Sequence, residues 1–221
     1  MTPTSRRLAQ LAVAMMLATP AVAQTGSHDH ARGHTHSHAE ATPEKTVEKG
    51  YFEDAQVQAR TLADWQGEWQ SVFPLLIDGT LDPVMAKKAE SGKKIAAEYR
   101  AYYETGYRTD VDRIEIAGDR VTFHRGAGAT SGDYADDGHE ILTYEAGNRG
   151  VRYSFRKVGG DEAAPDFIQF SDHRIAPEKV GHYHLYWGDD RDAVLAELTN
   201  WPTYYPAGLD AAAVRDEMLA H

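Results

Sequence analysis

Between residues 111 and 188, apolar side chains recur at every second position in six short runs: VDRIEIAG, DRVTFHRG, HEILTYEAG, GVRYSFRKV, DFIQFSDH and HYHLYWG. A period of two puts alternate side chains on opposite faces of an extended chain, so each run is expected as a half-buried strand. Ala117-Gly118-Asp119, Gly147-Asn148 and Gly159-Gly160 supply turn chemistry between runs, which predicts an antiparallel meander. Ahead of the meander the period is helical. Asp82-Pro83 opens PVMAKKAE as cap and first residue, and after Ser91-Gly92 the stretch KKIAAEYRAYYETGY repeats Ile95, Tyr99, Tyr102 and Tyr103 before ending at Gly106. Two more helical segments close the chain, RDAVLAELTN and LDAAAVRDEMLAH, the second with Asp210 as cap.

A further strand is expected at DWQGEWQSV, where Gly67-Glu68-Trp69 has the G-x-W form found at the first strand of lipocalin-like barrels. With six or more meandering strands beside it, closure removes the exposed edges that an open sheet would leave. The expected fold is therefore mainly β with accessory helices, a calycin/lipocalin-like antiparallel β-barrel, and a barrel of this size has room for a small ligand.

The first residues read differently. Arg6 and Arg7, the apolar run Leu8 to Leu17 and then Ala21-Val22-Ala23 have the charged, apolar and A-x-A parts of a secretory signal peptide over residues 1–23. The run is too short to span a bilayer. Residues 24–50 hold the tract TGSHDHARGHTHSHAEATPEKTVEK, with no aromatic and Val47 its lone large aliphatic, and are expected as a flexible segment. Residues 51–221 form the expected folded domain. Export implies a periplasmic protein without membrane insertion after cleavage, and a monomer is the expected state.

Composition narrows the chemistry. The chain has 221 residues, 42% hydrophobic, with formal net charge -11, eleven His and no Cys. Nucleic acid would be repelled by this acidic balance. Without Cys there are no disulfides, thiolate nucleophiles or Cys-ligated metals, so any metal is held by His, Asp or Glu. In SDHRIAPEKVGHYHLYWG, His182 and His184 lie two apart and face one side of a strand while Tyr183 faces the other. His173 ends the preceding run, and a loose hairpin through Pro177 and Gly181 brings it opposite His182. Three imidazoles then reach one ion and leave a tetrahedral position open. A second, flexible set is His28, His30, His34, His36 and His38 in the tract, and His221 offers an imidazole and a carboxylate at the end of the chain. Zn²⁺ suits these ligands, as do Ni²⁺ and Cu²⁺. His124 and His139 are expected as surface residues, and Asp133, Asp136, Asp137, Asp189 and Asp190 as solvated loop acids.

FEDAQVQARTLADWQGEWQSVFPLL, LDPVMAKKAE, YYETGYRTDV, GHEILTYEAGNRGVRY, IQFSDHRIAPEKVGHYHLYWGDD and LTNWPTYYPAGLDAAAVRDEMLAH together resemble the ZinT (YodA) family. The resemblance implies metal held by His173, His182 and His184, a His-rich front segment that also binds metal, and a non-enzymatic role. In that role Zn(II) is captured under scarcity and passed to the solute-binding subunit of a zinc ABC importer, with cadmium or other metals bound under stress. The cysteine pair of the family is replaced here by Gly132 and Lys157. Two other classes remain open from the residues: a zinc-dependent hydrolase or hydratase, with Glu140 or Asp172 as base on an open His₃ site, and a barrel carrying a small ligand or haem.

Overall fold

In a computed structural model, residues 45–220 are described, and their strands close into one antiparallel barrel in simple chain order. The strands are β1 (Gly67–Ser71), β2 (Arg113–Ala117), β3 (Arg120–Arg125), β4 (Gly128–Thr143), β5 (Arg149–Gly160), β6 (Phe167–Ser171), β7 (Tyr183–Gly188) and β8 (Thr203–Pro206). Helices α1 (Phe73–Ile77), α2 (Asp82–Ala89) and α3 (Ala96–Tyr107) fill the β1–β2 connection, α4 (Arg191–Ala196) follows β7, and α5 (Ala211–Ala220) closes the described chain. No helix among the described residues is long and apolar enough to cross a membrane.

Alternation sorts each strand into an inner and an outer row. Ile114, Ile116, Val121, Phe123, Phe155, Ile168, Phe170, Tyr183, Leu185 and Tyr204 point inward into one core. Trp69 is buried there, donating its indole N–H to the Trp65 carbonyl at 2.8 Å and meeting the Tyr183 ring edge-on at 4.7 Å. Trp65, in a short 3₁₀ turn, stacks on Phe170 at 4.6 Å. These rings fill the interior, so the room expected for an internal small ligand is taken by side chains. A second core lies outside the barrel, where Tyr205 of β8 joins Leu76, Val84, Met85, Tyr107, Val214 and Met218 of the helices. Successive residues of β8, Tyr204 and Tyr205, therefore serve opposite layers.

Several expectations change. β4 begins at Gly128, well before the run at His139, and takes in Asp133, Asp136 and Asp137, expected in a loop. Two register shifts against β5 accommodate the Gly- and Asp-rich stretch, Arg120 pairs with Asp133 and Arg191 with Asp137, so backbone pairing and ion pairs override weak strand propensity. In the ladder Gly132 lies opposite Gly160 and Lys157 opposite Tyr134. Asp82 is the first residue of α2 rather than its cap, whereas Asp210 does cap α5, accepting from the Ala213 N–H at 2.8 Å. Strand β8 and helix α1 have no counterpart in the expected elements. The boundary expected at residue 50 falls too late: Val47–Lys49 form a 3₁₀ turn, with Val47 packed on the barrel core and Arg149 donating its N–H to the Gly50 carbonyl at 2.8 Å. Gly50, at φ +83°, is required there, because a Cβ would sit 2.3 Å from the Arg149 carbonyl oxygen.

Candidate metal centre

Strand register builds the site. Ser171 of β6 pairs with His184 of β7, so two steps further out the same register sets His173 opposite His182, just past the ends of both strands. The His173 and His182 rings are 5.6 Å apart and those of His182 and His184 are 6.2 Å apart. Because Tyr183 and Leu185 point into the barrel, the imidazoles stand on its outer face. They open into a cleft of about 870 Å³ roofed by α3, α5 and the segment at Trp201. The five tract histidines, the signal segment and His221 lie outside the described residues; Ala220, the last described residue of α5, lines the cleft. His124 on β3 lies 3.8 Å from the Glu115 carboxylate and His139 on β4 lies beside the Tyr153 ring, so neither joins this cleft.

Hydrogen bonds orient two of the rings. His173 Nδ1 is 3.0 Å from the Glu48 carbonyl oxygen, which only accepts, so Nδ1 carries the proton. His184 Nδ1 is 2.8 Å from Thr203 Oγ1, and that hydroxyl spends its own proton on the Trp201 carbonyl at 2.9 Å. Thr203 must then accept from His184, which fixes the Nδ1–H tautomer there too. In both rings Nε2 keeps its lone pair, as a metal ligand requires, and partners of this kind hold imidazole ligands in place in metal sites. Burial, reinforced by His182, His173 and Arg152, pushes the His184 imidazole down to about 3, so it stays neutral at ordinary pH. The third ring, His182, lies parallel to Tyr205 at 5.0 Å. As they stand, no three His, Asp or Glu side chains among the described residues are drawn closely enough together to hold an ion.

Beneath His173 lies a buried ion pair that sequence reasoning missed. Arg60, fully buried, donates to both Asp172 oxygens at 2.9 and 3.0 Å, to Asp64 at 2.7 Å and to the Glu178 carbonyl at 3.0 Å, with its guanidinium 4.1 Å from the Trp65 ring centroid. Asp172 also accepts from the Trp65 indole at 3.0 Å and the Arg174 N–H at 2.7 Å. Burial raises the Asp172 carboxyl, against the pull of Arg60 and these donors. The network clamps the chain on either side of His173. An isolated Arg in QVQARTLADW carries no periodic signal, and Thr203 was hidden because β8 was not expected. The alternation that turns Tyr183 inward and His184 outward was the readable clue to which face of the barrel carries the candidate site.

The profile described as ZinT (YodA) periplasmic lipocalin-like zinc-recruitment matches residues 43–221. A probable metal-binding protein, YrpE, of Bacillus subtilis is 56% identical over 176 residues, covering 79% of this chain and 70% of that protein. Zinc-binding lipoprotein AdcA of Streptococcus pneumoniae is 48% identical over 179 residues; the chain spans 36% of its length. The crystal structure of the Zn(II)-bound ZinT-like domain of that AdcA superposes with a TM-score of 0.77 at 47% identity, covering 80% of this chain and 99% of that one.

Proposed function

The chain belongs to the ZinT (YodA) family, and from that premise we propose that it is a periplasmic zinc carrier whose primary site is His173, His182 and His184. The observation that carries the reading is the pair of fixed tautomers: two imidazoles on one cleft wall, each with Nδ1–H spent on an oxygen and Nε2 left for an ion. Loading turns His182 off the Tyr205 ring toward the other two. Three neutral ligands and an open position let an ion be taken and given up without unfolding, and the acidic surface raises the local cation concentration. Cd²⁺, Ni²⁺ and Cu²⁺ fit the same donors. A Zn(II)-bound ZinT-like domain of known structure supports zinc as the cargo.

The finer parts of the role are proposals of the same kind. Residues 1–23 export the chain, and His28, His30, His34, His36 and His38 collect ions at lower affinity, delivering them to a cleft whose wall includes Glu48, where the tract ends. The recipient is the solute-binding subunit of a zinc ABC importer; in AdcA a ZinT-like domain is one part of a longer zinc-binding protein, which fits a domain that works beside a second zinc binder. A carrier is favoured over a hydrolase because the two candidate bases are engaged: Asp172 by Arg60 and Trp65, Glu140 by Arg191. Calorimetric zinc titration of the chain beside the triple variant His173→Ala, His182→Ala, His184→Ala tests the reading. Loss of the tight site with only weak binding left supports it; undiminished tight binding moves the primary site to the tract.

A further inference from the structure

The candidate metal cleft has a second lobe, of about 590 Å³, that shares Asp172, His173, His184 and Trp201 with the first and adds Arg149, Arg152, Tyr144 and Tyr186. Arg152 is placed by register. Tyr153 of β5 pairs with Phe170 and Ser171 pairs with His184, so Arg152, Ser171, His184 and Thr203 form one transverse row on the outer face of the barrel.

Charge in this lobe is unevenly spent. Asp172 is held by Arg60, Glu48 by Arg174, and Arg149 by Asp54. Among the described residues no carboxylate forms an ion pair with Arg152, which is 1% exposed. One of its nitrogens donates to the Glu197 carbonyl at 2.7 Å, and the guanidinium lies 3.2 Å from the Tyr186 ring centroid. The Tyr144 hydroxyl stands within hydrogen-bonding reach of it; the Glu197 carboxylate also faces it but is turned to the Thr199 and Asn200 N–H groups. Nε and the other terminal nitrogen of Arg152 make no hydrogen bond of normal geometry. A buried donor without a well-formed hydrogen bond is costly, more so when charged, so a guanidinium this poorly satisfied needs an explanation.

Loading the neighbouring histidines sharpens the problem. A dication held by three neutral imidazoles would lie in the same cleft as a guanidinium without a counter-charge, and two cations in a partly buried space repel. An anion between them removes the repulsion, satisfies the planar fork of the guanidinium and fills the ion's open position. We propose that the fourth ligand of the bound metal is a small carboxylate taken from solution, bridging the ion and Arg152. This rests on the three-histidine site proposed above.

The test is zinc affinity of the full chain, read against a chromophoric chelator at constant ionic strength, with acetate replacing perchlorate. Acetate is expected to tighten zinc binding by about tenfold in the wild type, the scale on which outer partners of a metal site act. In Arg152→Gln the acetate effect is expected to vanish, and in Arg152→Lys, which keeps the charge and loses the fork, to shrink. Acetate without effect on the wild type, or with equal effect in Arg152→Gln, overturns the proposal. Should Arg152→Gln fail to fold, the d–d absorption of the Co(II)-loaded wild type decides: a shift on adding acetate supports the bridge, and an unchanged spectrum overturns it. The triple histidine variant keeps the two readings apart. Tight binding that survives in that variant sinks the three-histidine site, whereas histidine-dependent binding indifferent to acetate sinks only the bridging anion.

Discussion

Thr203→Val removes one oxygen and almost no volume, and its expected effect on the cleft is large. The threonine hydroxyl links His184 Nδ1 at 2.8 Å to the Trp201 carbonyl at 2.9 Å. Without it the Nδ1–H of a largely buried ring meets a methyl group, and an unsatisfied buried donor costs about 1–3 kcal/mol. The ring relieves this by moving its proton to Nε2, which blocks the lone pair that the proposed site needs. Loss of such an orienting partner typically costs 10–100-fold in metal affinity, or about 1.4–2.8 kcal/mol. At about 2–4 °C of melting temperature per kcal/mol for a domain of this size, the unloaded variant is expected to melt several degrees lower. Chelator competition gives the zinc affinity, and a thermal melt with and without zinc gives both stabilities. Thr203→Ser keeps the hydroxyl and is expected to behave as wild type. A well-folded Thr203→Val with zinc affinity indistinguishable from wild type would refute the tautomer argument.

Three further outcomes follow from the same structure. Because the folded state holds His184 near 3 while a free imidazole titrates near 6.5, the unfolded chain binds a proton that the folded chain refuses between those values. Stability of the unloaded protein therefore falls as pH drops from about 6.5 toward 3, by up to about 1.4 kcal/mol per pH unit from this group, and His184→Gln should flatten denaturant midpoints over that window. Asp172→Asn leaves Arg60 buried without its counter-charge and is expected to cost about 3–5 kcal/mol in urea unfolding, with Arg60→Met combined with Asp172→Leu costing less than the single changes summed. Gly106→Ala drives a Cβ to 2.3 Å from the Trp201 ring, so a loss of about 1–3 kcal/mol and a changed near-ultraviolet dichroism are expected; an unshifted spectrum would mean the ring does not pack there.

Sequence periodicity carried the barrel because most strands alternate cleanly, and His182 and His184 were legible as a same-face pair for that reason. The place of His173 followed from hairpin length alone, and in the structure the register of Ser171 with His184 sets it opposite His182. What was not legible depends on pairing between distant strands. Thr203 sits on a four-residue strand ending in Pro206, whose TYYP pattern resembles a turn as much as a strand. Gly128–Asp136 extends β4 despite poor strand formers, because β3 pairs with Gly128–Asp133 and β5 with Gly132–Asp136. The turn at Val47–Lys49 was lost in a polar tract, since its contacts run through one valine, the carbonyls of Glu48 and Gly50 and the Glu48 carboxylate, none of which makes a periodic pattern.

The position of the proposed site outside the barrel bears on how it would release an ion. The barrel interior is packed with aromatic rings, so the wall behind His184 and His182 is rigid, and a site sunk inside would have to breach that core to open. On the outer face the three ligands are unequally held. His184 is tied to β8 through Thr203, and His182 lies against Tyr205, which belongs to the helical core. His173 is exposed, stands beyond the last ladder pair of β6, and has its ring steadied by the carbonyl of Glu48, in the 3₁₀ turn that follows the His-rich tract. Glu48 therefore steadies the proposed ligand that the barrel itself holds least. In the proposed three-histidine site, a shift of Glu48 would act first on His173 and leave two ligands while the wall stays intact, and a two-ligand site would surrender its ion to any acceptor that offers more.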